Sequence, residues 1–336
     1  MATAVKPDRA ARSLSRFTGM SARLSRVVDE HQASKTGGPP EPPATSADSA
    51  HSTAGNGGTM DAVDTIDNPL IPGWLPPELD TTRAHTARIY EYLLGGMHYF
   101  DVDREAAETA LRHVPQAREI LQENRAFLNR ATRFLAASGI TQFLDLGSGL
   151  PGTDNIGDVA RKTHPEARIV FVDYDPMVAV HGRALVAAAD PAHTAVVEAD
   201  IRRPAEVMAD PELRRILDLD RPVALVLNSL LHFISPDEDP HAIVAQFLAA
   251  VPTGSALVVS HITDGGRPVQ AEAAVRAWDQ ATSPMFMRTE DEIRNLFAGT
   301  EIIEPGIVPR PLWRPDGEVR EDWEEIWGLV GVGIKR

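Results

Sequence analysis

The stretch that decides the fold is QFLDLGSGLPGTDN, residues 142–155. A short apolar run ends in Leu146, and Gly147, Gly149 and Gly152 then form a G-x-G-x-x-G pattern. A glycine-rich loop after a buried strand is typical of folds that bind an adenosine-containing cofactor. The glycines alone leave two kinds of cofactor open, a dinucleotide such as NAD or another adenosine compound.

The residues on either side of these glycines distinguish between the two cofactors. A dinucleotide site needs its third glycine in the first turn of a helix whose N-terminus points at the pyrophosphate. Here Pro151 and Gly152 form a turn, so a helix begins only after Asp154 or Asn155 as N-cap. Carboxylates such as Asp145 suit a sulfonium or ammonium cation better than a pyrophosphate. The loop therefore favours S-adenosylmethionine (SAM) over NAD.

Apolar runs alternate with helical segments through the rest of the chain. Strands are predicted within 141–147, 167–175, 194–201, 222–233 and 254–264, and helices within 156–163, 176–189, 204–217 and 240–251. Apolar strands joined by helices indicate a parallel, doubly wound sheet. The last two runs, 300–313 and 324–336, have no helix between them and predict an antiparallel hairpin. We expect an α/β fold with a Rossmann-like, seven-stranded, mostly parallel sheet.

The chain divides into three predicted regions. Residues 1–65 are expected to form a disordered tail and linker, because 35–60 is rich in Pro, Gly, Ser and Thr and lacks large apolar groups. A short amphipathic helix is the alternative for its basic start. Residues 66–139 are expected to form an N-terminal helical lid. Residues 140–336 are expected to form the cofactor-binding domain, with a helical insertion at 264–299.

Polar side chains end several of the predicted strands, where ligands of open α/β sheets bind. Asp145, Asp173 and Asp200 end the first three strands. Asp173 can accept hydrogen bonds from both ribose hydroxyls, and Asp200 can accept one from an adenine amino group. The predicted cofactor-binding residues are Asp145, Gly147, Ser148, Gly149, Asp173, Tyr174, Asp200, Ile201 and Asn228.

The motifs together support a family resemblance. FLDLGSG resembles motif I of class I SAM-dependent methyltransferases, and VFVDYDPM and VEADIR resemble their second and third motifs. With LNSLLHFI, ARIYEYLLGGMHYFDVDREAA and MFMRTEDEIRNLF, residues 66–336 resemble a bacterial family of SAM-dependent methyltransferase-like proteins of unassigned substrate. The resemblance implies the class I methyltransferase fold, with SAM as cofactor and S-adenosylhomocysteine (SAH) as product. Pro151 departs from the third glycine that is common in this loop.

Methyl transfer is an in-line displacement, which depends on alignment and in some enzymes on a general base. His232, after the fourth strand, and His261, at the end of the fifth, are the candidate bases. Strand capping is the alternative role for both. Aromatic and polar groups of the lid and the insertion are candidates for contacting the acceptor, with core packing as the alternative. These candidates are Arg88, Tyr90, Tyr92, Tyr99, Arg125, Trp278 and Met285.

Composition narrows the class of partner. A net charge of −15 argues against nucleic acid, and no apolar run is long enough to cross a membrane. The chain has no cysteine, which excludes disulfides and cysteine-ligated zinc, and we predict no metal. We expect a bacterial, cytoplasmic methyltransferase acting on a small molecule, with its oligomeric state open. A SAM-binding protein without transferase activity and an NAD-dependent oxidoreductase are the alternatives.

Overall fold

The computed structural model of the chain describes residues 81–150, 152, 155–266, 268–278 and 284–336. All elements below belong to one structural unit, Pro76–Arg336. The predicted tail and linker at 1–65 and the first part of the predicted lid lie outside the described residues. The predicted N-cap Asp154 lies outside them too.

The sheet is built around five parallel strands. Its strands are β1 (Gln142–Leu146), β2 (Arg168–Asp173), β3 (Thr194–Glu198), β4 (Ala224–Asn228), β5 (Ala256–His261), β6 (Thr300–Ile302), β7 (Val308–Pro309) and β8 (Leu329–Lys335). Their order is β3-β2-β1-β4-β5-β8-β6, and β7 also pairs with β8. Strands β1 to β5 are parallel, and β8 runs antiparallel to β5, β6 and β7.

The described residues confirm the mostly parallel sheet with antiparallel C-terminal strands, but the sheet has eight strands instead of seven. The additional strand is β7, in which Val308 and Pro309 pair with Val330 and Leu329 of β8. A two-residue strand carries too short a periodic pattern to be recognised from sequence.

Both faces of the sheet are covered, because alternate residues of each strand point to opposite sides. In β1, Leu144 and Leu146 belong to one apolar core, and Phe143 belongs to the core on the other face. The described helices are α1 (Thr86–Leu93), α2 (Asp101–His113), α3 (Ala117–Ala137), α4 (Ile156–Arg161), α5 (Pro176–Ala189), α6 (Pro204–Ala209), α7 (Pro211–Ile216), α8 (Pro240–Ala249), α9 (Pro268–Trp278) and α10 (Glu290–Asn295). Residues of α3 and α4 pack into one of these two cores, and residues of α6, α7, α8 and α10 pack into the other.

Capping residues set the ends of several helices. Asn155 is the N-cap of α4, as predicted, and its side chain accepts from the backbone N–H groups of Gly157 and Asp158. The predicted helix 204–217 is two helices, because Pro211 lacks an N–H and Asp210 caps a new start. After α1, Gly95 has a φ of +83°, the left-handed conformation that commonly terminates a helix.

The N-terminal helices are held against the sheet and against one another. Phe127, Leu128 and Ala131 of α3 pack into the core on one face of the sheet. Asp103 of α2 accepts from the backbone N–H of His85, 2.8 Å away, at the start of α1. Asp103 also forms an ion pair of 3.1 Å with Arg88. These buried contacts fix α1 and α2 relative to each other.

Candidate active site

A cavity of about 1850 Å³, its open mouth included, lies at the carboxyl ends of β1, β2 and β4. Strand β1 lies between β2 and β4, so the cavity is at the topological switch point of the sheet, where such folds bind ligands. The nine predicted cofactor residues all contribute to its wall. Residues of α1, α2 and α3 form the facing wall.

The glycine loop after β1 needs glycine for both conformation and space. Gly147 and Gly149 have φ of +68° and +63°, which side chains rarely adopt. A Cβ at Gly147 would also lie 2.4 Å from the side chain of Leu230. The N–H of Gly149 donates to Asp173, 2.8 Å away, so the carboxylate at the end of β2 fixes this loop. The backbone of this loop can therefore approach a ligand in the cavity closely.

Two buried carboxyl groups give the cofactor end of the cavity its electrostatic character. Burial raises the pKa of Asp145 to about 7, against the lowering effect of Arg125, and the neighbouring Asp173 raises it further. Burial also raises the pKa of Asp173, although the N–H groups of Asp175 and Gly149 stabilise its charged form. Buried acids that share a site favour a cationic ligand. They are unsuited to a pyrophosphate.

A polar atom without a partner marks the end of β4. Among the described residues, Oδ1 of Asn228 is buried and accepts no hydrogen bond, although it belongs to the cavity wall. Because buried polar groups are normally bonded, this oxygen is suited to a ligand donor. The next residue, Ser229, has a φ of +56°, an uncommon conformation for a residue other than glycine. The carboxylates, the glycine loop and this oxygen together fit SAM.

Comparison with known proteins decides the family. The sequence model of the S-adenosyl methyltransferase family matches residues 72–336. The chain belongs to the S-adenosyl methyltransferase family. The fold and the SAM cofactor expected from the sequence are thus confirmed, and the NAD-dependent alternative gains no support. No curated protein matches the chain.

Two solved structures are similar to this S-adenosyl methyltransferase family member. A DUF574 family protein from Streptomyces avermitilis MA-4680 has 38% identity, covering 77% of this chain and 100% of its own, with a TM-score of 0.74. A protein from Thermobifida fusca YX, provisionally described as a methyltransferase, has 42% identity, covering 79% of this chain and 100% of its own, with a TM-score of 0.73. No described helix is long and apolar enough to cross a membrane.

The third acid of the methyltransferase, Asp200, lies in the cavity wall but is already paired. Both of its carboxylate oxygens accept from Arg202, at 2.6 to 2.9 Å. Burial acts to raise the pKa of Asp200, but these bonds outweigh it and lower the pKa. If Asp200 accepted a hydrogen bond from an adenine amino group, as expected from the sequence, one of its oxygens would accept from both the adenine and Arg202.

The two candidate bases of the methyltransferase lie in different surroundings. His232 is in the cavity wall, and its Nδ1 is buried without a hydrogen-bond partner among the described residues. Burial holds the pKa of His232 well below its usual value, and His261 and Arg310 lower it further. The imidazole is therefore neutral at physiological pH.

His261 is fixed by the protein on both sides of its ring. Its Nδ1 lies 2.8 Å from the carbonyl of Ile262, and its Nε2 lies 2.8 Å from Nη1 of Arg288. The carbonyl can only accept and the guanidinium can only donate, so Nδ1 carries the proton and Nε2 is occupied. Burial lowers the pKa of His261 to about 3. This arrangement suits a structural role, and His261 is not part of the cavity wall.

The structure separates the acceptor-side candidates into two groups. Tyr90, Arg125 and Met285 belong to the cavity wall. Arg88, Tyr92 and Tyr99 lie outside it: Arg88 pairs with Asp103, and Tyr92 packs edge-on against Tyr99. The side chain of Trp278 lies outside the described residues.

His85 and Arg310 are among the wall residues that sequence reasoning missed. His85 directly precedes α1. Its Nδ1 lies 2.7 Å from Asp175, and its Nε2 lies 3.1 Å from the hydroxyl of Tyr174. It thus joins α1 to the end of β2. No local pattern indicated this, because histidine is not among the residues preferred before the first turn of a helix. Arg310, between β7 and β8, had no local signal either, because only the folded chain brings it to the cavity.

Proposed function

We propose that this methyltransferase binds SAM between the glycine loop and the ends of β2 and β4, and methylates a small molecule in the rest of the cavity. The observation that carries the proposal is the convergence of the nine predicted cofactor residues on one cavity. Bound SAM supplies an electrophilic methyl carbon attached to a cationic sulfur. The chain's own residues bind, orient and shield the reactants.

Asp145 and Asp173 are suited to different parts of the cofactor. Asp145, buried at the end of β1, is suited to an ammonium group, and Arg125 beside it is suited to a carboxylate. Asp173 uses one acceptor position on each oxygen for backbone N–H groups, at 2.8 and 3.0 Å. The remaining lone pairs can accept from ribose hydroxyls. Ion pairing and hydrogen bonding therefore orient the donor.

His232 is the residue best placed to handle a proton. Its neutral ring can accept a proton at Nδ1 from a hydroxyl or amine in the cavity. The ring lies edge-on to His261, with centroids 5.4 Å apart, and Arg288 in turn fixes His261. This chain of contacts holds the imidazole in one orientation without using its free nitrogen.

The acceptor side of the cavity supports a small and partly apolar molecule. Its wall includes Val114 after α2, Ile120 of α3, Met285 and Met287 before α10, and Trp327 before β8. The helices that cover the cavity, together with the net charge of −15, support a small molecule over nucleic acid as the acceptor. The bacterial sources of both similar structures and the lack of cysteine support a bacterial, cytoplasmic setting.

Calorimetric titration with SAH and NAD, combined with methyl transfer from labelled SAM to a library of small molecules, tests the proposal. We expect SAH but not NAD to bind, and Asp173→Asn to weaken SAH binding by about tenfold or more. Asp220→Asn, at an exposed aspartate outside the cavity, is the matched control. Binding of SAH without transfer to any acceptor would favour the SAM-binding alternative, and unchanged affinity in Asp173→Asn would contradict the assigned site.

A further inference from the structure

Three described arginines belong to the cavity wall, and they differ in how their charge is balanced. Arg202 pairs with Asp200 at 2.6 Å and with Glu238 at 2.9 Å. Arg125 lies close enough to Asp145 to lower the pKa of that acid. Arg310 forms no ion pair with any described carboxylate. It is therefore the cation of this wall whose charge the described residues leave unbalanced.

The guanidinium of Arg310 is almost fully enclosed, with only 1% of the residue exposed. Its Nε donates to Oδ1 of Asn124, 3.1 Å away, and one terminal nitrogen, Nη2, lies 3.5 Å from the hydroxyl of Ser260. The other, Nη1, is buried and has no hydrogen-bond partner among the described residues. Arg310 is nevertheless one of the residues that line the cavity.

The neighbouring backbone provides the space that the guanidinium occupies. Gly328, just before β8, has a φ of +113°. A Cβ at this position would lie 2.0 Å from Nη1 of Arg310 and 2.4 Å from the central guanidinium carbon. Any other residue at 328 would therefore displace the arginine.

The surroundings of Arg310 make its buried charge costly. An uncompensated buried charge is strongly unfavourable. Its bonded neighbours, Asn124 and Ser260, are neutral. Tyr90 and Glu123 act on it at longer range, and Glu123 is bonded to Arg130 at 2.8 Å. A cationic sulfonium in the same cavity would add to the repulsion. An anion between the sulfonium and the guanidinium of Arg310 would attract both cations and offset this repulsion.

We propose that Nη1 of Arg310 binds an anionic oxygen of the methyl acceptor, so that the substrate class is a small carboxylic acid with an apolar body. This inference rests on the proposed function, because it assigns the acceptor end of the same cavity. The carboxylate accepts from Nη1 of Arg310, and the apolar body contacts Met285, Met287 and Trp327 of the same wall.

The first test uses bromide as a probe, because it needs no knowledge of the acceptor's shape. Crystals of the SAH complex are soaked in sodium bromide and measured for anomalous scattering. We expect a bromide within hydrogen-bond distance of Nη1 of Arg310, and none there in Arg310→Gln. The absence of bromide from the wild-type site, or the SAH carboxylate bound to Arg310, would overturn the proposal.

The second test compares an acid with its neutral isostere. Benzoate and benzamide are titrated into the SAH complex, and we expect benzoate to bind about tenfold more tightly, a preference lost in Arg310→Gln. Arg161→Gln is the control, because Arg161 is also a largely enclosed arginine but lies outside the cavity wall. Equal or tighter binding of benzamide overturns the proposal, and if neither compound binds, the bromide result decides. Failure of SAH itself to bind would instead contradict the proposed function.

Discussion

Asp145 is a buried acid whose ionisation is coupled to the binding of a cation. Its pKa is about 7, since burial disfavours the carboxylate. An ammonium group binds the carboxylate and not the protonated acid. Affinity for SAH is therefore present above this pKa and is lost as the pH falls through it.

We expect the association constant for SAH to fall by about tenfold per pH unit below about pH 7, because binding must release one proton. Calorimetry between pH 5.5 and 8.5, in buffers of different ionisation enthalpy, measures both the affinity and the proton release. Asp145→Asn cannot ionise, so it should bind weakly with a nearly flat pH profile. An equally steep profile in this variant would assign the proton to another group, such as Asp173.

His232 should contribute to turnover more than to cofactor binding. His232 belongs to the cavity wall, its Nδ1 has no hydrogen-bond partner among the described residues, and the ring is neutral because burial lowers its pKa. With an acceptor identified, His232→Gln should lower kcat by about 10²-fold or more, the contribution typical of a general base, and leave SAH affinity nearly unchanged. Single-turnover kinetics with titration of SAH separate the two effects. An unchanged kcat would show that the acceptor needs no base from His232.

At the scale of elements, one buried carboxylate, that of Asp103 in α2, links α1 and α2. Asp103 accepts from the N–H groups of His85 and Phe100 and pairs with Arg88, and all three contacts are 2.8 to 3.1 Å long. Arg88 is only 2% exposed, so Asp103→Asn removes the carboxylate that pairs with a buried cation. We expect Asp103→Asn to lower the free energy of unfolding by about 3 kcal/mol.

Asp101 offers a control on the same helix, because it pairs with Arg104 at 3.0 Å while its side chain is 51% exposed. Asp101→Asn should cost under about 1 kcal/mol, as is usual for surface ion pairs. Urea unfolding followed by circular dichroism measures both variants. Equal losses in the two would mean that the buried network adds no stability beyond a surface pair.

Elements with a strong local pattern were predictable, and those defined by distant contacts were not. The alternation of apolar runs and helices predicted β1 to β5, and the flanks of the glycine loop predicted the class of cofactor. Strand β7 exists only because Val308 and Pro309 pair with β8. Arg310 reaches the cavity through space provided by Gly328, a fact that appears only when the chain is folded.

On the scale of the whole molecule, the site is assembled from residues that span most of the described chain. The cavity wall extends from His85 in the N-terminal helices to Trp327 before β8, and the family match begins at residue 72. Removing 1–65 therefore leaves intact every described residue of the wall. We expect a chain that begins at residue 66 to bind SAH within about twofold of the full-length affinity, a change of under about 0.5 kcal/mol. Calorimetry on both chains provides the comparison, and a loss of tenfold or more would assign part of the site to the removed segment.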